Sequence, residues 1–210
     1  MNSFDPRSNR ASSNYDERHI LNFSYVWDLP FFKSSSSRLA KNVLGGWQYT
    51  GITSFNTGSP FTVTYGDISD NAGVGNGVGI SSRPDLVGDP NSGFTQNPQS
   101  GLGPQWYNPA AFAAPRGLTF GTAPRNMFRN PNRLNFDMGL FKRFKISESM
   151  GFEFRAEAFN IFNHTQWGNI GGDSGSAGGS GNTTFPGGDF LYIASAHNPR
   201  ILQLALKFIF

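Results

Sequence analysis

The sequence is marked first by what it lacks. It has no cysteine, which excludes a disulfide framework and a zinc site built on thiolates. It has no apolar run long enough for a transmembrane helix, which needs about 20 residues. Its first residues contain no apolar segment of the kind found in signal peptides. Charged residues are also scarce, at 15% of the chain. The net charge is +3, and the Lys and Arg residues are scattered along the sequence. A nucleic-acid surface would cluster its basic residues on one face, so nucleic-acid binding is disfavoured.

Aromatic residues and glycine are abundant instead. The 210 residues include 21 Phe, 26 Gly and 13 Pro, yet the mean hydropathy is only −0.38. A membrane β-barrel has this composition, because apolar residues occupy every second strand position while long polar loops dilute the average.

The last eleven residues, 200–210, alternate in polarity. Successive strand side chains point to opposite sides of a sheet, so five large apolar residues share one face: Leu202, Leu204, Leu206, Phe208 and Phe210. A strand of about 9–11 residues crosses a bilayer. In water so apolar an edge would invite aggregation, and lipid is the simplest cover for it.

The same alternation predicts an all-β fold of five antiparallel strands, with an open sheet as an isolated chain. The strands are expected near residues 18–29, 45–65, 133–145, 151–162 and 200–210, with a break in the second near 58–60. The remaining segments are a polar loop at 1–17, short connections at 31–44 and 146–150, a long loop at 66–132 and a Gly/Ser-rich loop at 163–199.

Short and long connections therefore alternate along the chain, as in an up-and-down transmembrane β-barrel with short periplasmic turns and long external loops. Five strands cannot close a barrel, which needs about eight or more. Together with the missing signal peptide, this leads us to expect the C-terminal fragment of a longer barrel protein, ending in a closing strand at 200–210.

Each predicted strand has one apolar and one polar face. The apolar set is expected on the convex, lipid-facing side: Leu134, Phe136, Met138, Leu140, Phe152, Phe154, Ala156, Leu202, Leu204 and Leu206. The polar set is expected to face the lumen: Asn135, Asp137, Arg143, Glu153, Arg155, Glu157 and Gln203. Charge on the lipid face would be costly, at about 2–4 kcal/mol for an arginine near the midplane.

The five-residue turn at 146–150 also predicts a register. It places Arg143 opposite Glu153 and Phe141 opposite Arg155. Opposite charges paired across strands stabilise a sheet by about 0.2–1 kcal/mol. Two roles remain open for the charged set: mutual neutralisation against a domain inside the barrel, or direct contact with a ligand.

Three aromatic residues, Trp27, Trp47 and Tyr49, lie beside the first short connection. Indole and phenol rings favour the membrane interface, so these residues are expected to form part of the periplasmic aromatic girdle. The alternative is a soluble β-sandwich, a binding or adhesion module that would bury the same rings in its core. No catalytic or metal-binding constellation is apparent, since His19, His164 and His197 lack ligand-like spacing.

The segment RLNFDMGLFKRFKISESMGFEFRAEAFNIFNHTQWG (133–168) resembles the penultimate hairpin of TonB-dependent outer-membrane transporters of the Oar-like subgroup, whose full chains carry a carboxypeptidase-regulatory-like domain. YDERHILNFSYVWDLPF and GGWQYTGITSFNTGSPFTVTYG resemble earlier strands of that barrel. RPDLVGDP and WYNPAAFAAP resemble its long external loop, and PRILQLALKFIF its closing strand.

The resemblance implies a barrel of about 22 strands filled by a plug, located in the outer membrane and importing a scarce ligand such as a siderophore or glycan. The implied partners are membrane lipid, the remaining strands and plug, the assembly machinery, and TonB through another part of the protein. No cofactor, enzymatic activity or nucleic-acid partner is expected, and this segment alone should not transport.

In the family that the chain resembles, a terminal aromatic preceded by alternating apolar residues is the signal for outer-membrane assembly. We therefore expect Leu204, Leu206, Phe208 and Phe210 to act in strand addition, in which an extended segment pairs through its main chain.

Deleting Phe210 from the native protein should lower the amount of folded protein in the outer membrane. The inserted molecules should keep near-normal uptake, and normal abundance with lost uptake would contradict the assignment.

Overall fold

A computed structural model describes residues 5–66, 82–93, 103–117, 119–170, 183–193 and 195–210. No helix in these ranges has the length and apolarity needed to span a membrane. The helical elements of the described residues are one α-helix, α1 (Arg38–Val43), and 3-10 turns at Pro6–Asn9 and Pro109–Ala111. The strands are β1 (Ile20–Asp28), β2 (Trp47–Asn56), β3 (Pro60–Phe61), β4 (Thr64–Tyr65), β5 (Asp85–Leu86), β6 (Phe112–Ala113), β7 (Phe128–Arg129), β8 (Arg133–Lys145), β9 (Gly151–Phe159), β10 (Thr184–Phe185) and β11 (Ile201–Ile209).

The five long strands form one antiparallel sheet in the order β1-β2-β8-β9-β11. Each long strand therefore pairs with the next long strand along the chain, which confirms the predicted up-and-down order. β8 covers the predicted range 133–145, and β1 and β11 differ from prediction by one or two residues at their ends. The strands fold this way because their residues alternate in polarity with a period of two.

Two predicted strand ends were wrong. The second long strand ends at Asn56 and does not continue to residue 65, because β3 pairs with β7 and β4 pairs with β10. The fourth ends at Phe159 instead of residue 162. Asn160 adopts a left-handed backbone conformation, with φ of 50°, which ends the extended chain.

The chain divides into two compact units. The sheet unit comprises His19–Asn56, Arg133–Gln166 and Asn198–Phe210, and so contains the five long strands. The loop unit comprises Met1–Arg18, Thr57–Asn132 and Trp167–His197. It contains the short strands and most of the residues predicted as long external loops.

The loop unit has a hydrophobic core of its own, which the interpretation of these residues as polar loops missed. Among the described residues, nine buried ones form it: Val63, Ala111, Phe112, Ala123, Phe128, Ile170, Phe190, Leu191 and Ile193. The Phe128 ring lies 5.6 Å from that of Phe61 and 4.1 Å from that of Tyr107. The run FLYI at 190–193 was the sequence signal of this core, and the abundance of Gly and Pro around it obscured that signal.

Three arginines of the loop unit hold its N-terminal segment, which was predicted as a simple loop. Arg83 donates to the Ser8 carbonyl and Arg125 to the Asn9 carbonyl. Arg129 donates to both the carbonyl and the carboxylate of Asp16. The hydrogen bond from Arg129 holds the pKa of Asp16 below its usual value. Because the folded-state pKa is lowered, this link is present at neutral pH and is lost as the pH falls through that pKa.

Gly121 offers a test of whether the loop unit is folded. A β-carbon at this position would overlap the carbonyl oxygens of Arg83 and Pro84, which belong to the backbone and cannot move aside. Overpacking costs about 1–3 kcal/mol, and we expect Gly121→Ala to lie at the upper end of that range.

The measurement is limited proteolysis of the native protein in outer membranes. Gly121→Ala should make the loop unit markedly more sensitive to protease. Gly188→Ala, where a β-carbon meets no atom within 4 Å, is the matched control and should leave the cleavage rate unchanged. Equal cleavage of the two variants would contradict a packed loop unit.

Candidate functional site on the polar face of the sheet

The strand register assigns every residue of the sheet to one of two faces, because residues directly opposite each other in paired strands share a face. Glu153 lies opposite Arg143 and Lys207, and Glu157 lies opposite Gly139 and Gln203. All seven predicted lumen residues fall on this polar face: Asn135, Asp137, Arg143, Glu153, Arg155, Glu157 and Gln203. The register therefore places the seven residues on one face, while their contact with a lumen stays a prediction.

Arg143, Glu153 and Arg155 form a charged cluster on the polar face. Arg143 Nη2 donates a hydrogen bond to Glu153 Oε2 at 2.9 Å, and Arg155 Nε donates one to Glu153 Oε1 at 2.6 Å. The Arg155 guanidinium carbon lies 5.6 Å from the centre of the Phe141 ring, within cation–π range. Both predicted pairs, Arg143 with Glu153 and Phe141 with Arg155, are present in the register. With two arginines and one glutamate, the cluster carries one net positive charge.

The charged cluster borders a cavity of about 550 Å³. On its β1–β2 side the cavity is lined by Asp28, Gln48 and Thr50, and Gln48 Nε2 donates to Asp28 Oδ1 at 2.9 Å. These residues lie near the strand ends that the two short connections join. The cavity therefore opens on the polar face close to that end of the sheet.

At the opposite strand ends, polar side chains hold the turn that follows β9. Asp137 Oδ1 accepts from the Asn160 backbone amide at 2.9 Å and from Asn135 Nδ2 at 2.8 Å. Asn135 Oδ1 in turn accepts from Gln166 Nε2 at 2.7 Å. Asn135 and Asp137 are thus already engaged in a structural network, which the sequence pattern did not reveal because residues 160–166 have no strand periodicity.

The apolar face of the same sheet has large exposed side chains. Leu202, Leu204 and Leu206 are 68%, 74% and 67% exposed. Phe208 packs against Phe152 with ring centres 5.1 Å apart, and Phe210 follows the end of β11 almost fully exposed. Such a continuous apolar surface marks a site of contact with lipid or protein. The assembly role of these residues stays a prediction.

The predicted girdle residues meet at one corner of the apolar face. Trp27 lies opposite Tyr49 in the register, and Trp47 lies opposite Lys142. The Trp47 ring contacts that of Phe154 edge to face at 5.9 Å. All three girdle residues are therefore on one face at the short-connection end, where an interfacial belt would lie.

Lys142 is a residue whose placement the sequence analysis missed. Among the residues that the described long strands place on the apolar face, Lys142 is the one with a charged side chain. It is only 4% exposed. Its Nζ donates to the carbonyls of Val43 at 3.0 Å and of Gly45, and lies 4.9 Å from the Phe144 ring centre. The alternation of β8 places Lys142 on the apolar face, but only α1 and its C-terminal carbonyls reveal how the charge is accommodated.

Residues 1–203 match the family described as the outer membrane beta barrel domain. The chain belongs to this family. It has no significant match among curated proteins or solved structures. Membership in a family of outer-membrane barrels places the protein in the outer membrane, where strands with one apolar and one polar face are required.

Family membership and topology together overturn the β-sandwich alternative. A sandwich needs two packed sheets, whereas the five long strands belong to a single sheet in sequential order. Among the described residues, no group of three or more His, Cys, Asp or Glu side chains is arranged to hold a metal ion.

Because these 210 residues contain no cysteine, a single introduced cysteine can report on either face of the barrel domain. Glu157→Cys and Gln203→Cys on the polar face should react with a water-soluble maleimide in intact outer membranes. Their neighbours Ala156→Cys and Leu204→Cys on the apolar face are the matched controls, and should react only after denaturation. Labelling is measured by the mass shift of the protein, and the reverse pattern would contradict the face assignment.

Proposed function

We propose that this barrel domain is the C-terminal part of a TonB-dependent transporter of the Oar-like type. The transporter takes up a scarce ligand such as a siderophore or a glycan, and this segment is not transport-competent alone. The proposal is supported by family membership, by the sequential five-stranded sheet, and by the segments that resemble this transporter group.

The observation that carries the proposal is the charged cluster on the polar face of the sheet. Glu153 binds both Arg143 and Arg155 through hydrogen-bonded ion pairs. This three-residue cluster lies near the short-connection end of the strands. In a barrel of this kind the short connections are periplasmic. The cluster would therefore lie deep in the lumen, near its periplasmic end. At that depth it is closer to a plug than to a ligand that enters from outside the cell.

We assign the cluster to plug contact more than to ligand contact. Its two arginine side chains are 64% and 45% accessible, while Glu153 is only 13% accessible. Exposed guanidinium groups on a fixed carboxylate are suited to planar hydrogen bonding with a protein surface. Glu157 and Gln203, further from the short connections, remain the candidates for ligand contact.

The proposed partners follow from this arrangement. Membrane lipid covers the apolar face, and further barrel strands pair with the free edges of β1 and β11. A plug fills the lumen, TonB binds another part of the protein, and the outer-membrane assembly machinery recognises residues 204–210. The proposed role is transport, with no cofactor, no catalysis and no nucleic-acid partner.

Planar-bilayer recording separates a plugged transporter from an open pore. The native protein should show no steady conductance, because the plug blocks the lumen. Glu153→Gln leaves the two arginines unneutralised, which weakens the packing against the plug, and brief openings should become more frequent. Ser54→Ala, on the same face but at the opposite strand ends, is the control. Uptake of labelled ferric siderophores and oligosaccharides, compared with and without TonB, tests energy coupling.

A steady open conductance of the native protein would contradict the plugged transporter and indicate a diffusion pore. Uptake that persists without TonB would contradict the energy coupling. Unchanged recordings for Glu153→Gln would contradict only the plug contact of the charged cluster.

A further inference from the structure

The connection between β1 and β2 carries both apolar and basic residues. Its exposed apolar residues include Leu39 and Val43, 77% and 48% exposed, on α1. These two are four residues apart and so lie on the same side of the helix. Leu44, which follows α1, is 50% exposed. A turn-rich connection that exposes so much apolar surface is unusual in water and ordinary at a membrane interface.

The end of α1 lies on the lipid-facing side of the sheet. Trp47 and Lys142 belong to the apolar face, and both side chains donate to the Val43 carbonyl, at 3.1 Å and 3.0 Å. This anchors the C-terminal end of α1 beside the apolar face at its short-connection end. Lipid that covers the apolar face therefore also meets α1.

A cavity of about 320 Å³ lies next to this anchor. Four lysines line it: Lys33, Lys41, Lys142 and Lys145. The cavity lies at the end of β8, where Lys142 and Phe144 belong to the apolar face and Arg143 and Lys145 to the polar face. The charge of Arg143 is compensated by Glu153. In the described part of the chain, no acidic residue lines the cavity, and Lys33, Lys41 and Lys145 make no ion pair of their own. The cavity thus offers uncompensated positive charge, and two of its lysines, Lys33 and Lys41, belong to the same connection as the exposed Leu39, Val43 and Leu44.

We infer that this cavity binds the phosphate-bearing head group of an anionic phospholipid. Lys33, Lys41 and Lys145 would contact the head group, while Leu39 and Val43 contact the acyl chains. Lys142 supports the site, because its ammonium group is held by backbone carbonyls and keeps positive charge at the wall of the cavity. A soluble anion would use the lysines but would have no need of the adjoining apolar surface. The inference rests on the outer-membrane location and is independent of TonB coupling.

The test uses the native protein in nanodiscs of phosphatidylcholine with or without phosphatidylglycerol. Native mass spectrometry counts the phosphatidylglycerol molecules retained, and gel mobility on heating gives the temperature at which the folded barrel is lost. Phosphatidylglycerol should be retained and should raise this temperature. In the variant Lys33→Gln/Lys41→Gln/Lys145→Gln, the affinity for it should fall about fivefold for each lysine removed.

The matched control removes three exposed arginines of the loop unit, as Arg7→Gln/Arg10→Gln/Arg116→Gln, and should retain the lipid like the native protein. Leu39→Asn keeps all the lysines and should still weaken lipid retention. Equal retention by the lysine variant and the native protein would overturn the inference. So would equal loss in the arginine control, which would indicate a net-charge effect. A stabilisation by inorganic phosphate as large as that by phosphatidylglycerol would overturn the lipid assignment in favour of a free-anion site.

Discussion

The structure depends on the backbone hydrogen-bond ladder between five long antiparallel strands. In hydrocarbon an unpaired peptide group costs several kcal/mol, so the interior strands β2, β8 and β9 are paired on both sides. Because the ladder fixes the register, it also fixes which side chains share a face. A shift of one residue would exchange the two faces of a strand, moving Glu153 to the lipid side and Phe154 to the polar side. The charged cluster, the apolar surface and the aromatic corner are all consequences of this register.

Glycine and aromatic residues cooperate within this ladder. The Tyr25 ring lies over Gly51 on the neighbouring strand and extends to Tyr49, with ring centres 5.6 Å apart. On the opposite face, the Phe141 ring lies beside Gly139. A ring that covers a glycine compensates for the missing side chain, and the Tyr25 ring, which covers a glycine of the neighbouring strand, also favours the observed register. This explains how a chain rich in both residue types builds regular strands.

Much of the sheet could be predicted from the sequence. The period-two alternation gave the number of long strands, their order and their faces, and the short turn at 146–150 gave the pairing of Arg143 with Glu153. The loop unit could not be predicted in the same way. Its contacts join residues far apart in sequence, such as Phe61 with Phe128, and no periodicity connects them. Abundant Gly and Pro indicate turns but do not indicate whether the turns enclose a core.

The sequence by itself determined the strand pattern and the segregation of polar from apolar side chains, because side-chain direction in a strand is a local property of the backbone. Tertiary structure decided which residues became partners at a distance. It gave Lys142 the backbone carbonyls of Val43 and Gly45 that make a charge tolerable on the apolar face. It also engaged Asn135 and Asp137 in holding the turn after β9. Such satisfaction of buried polar groups depends on three-dimensional proximity, for which a linear pattern carries no signal.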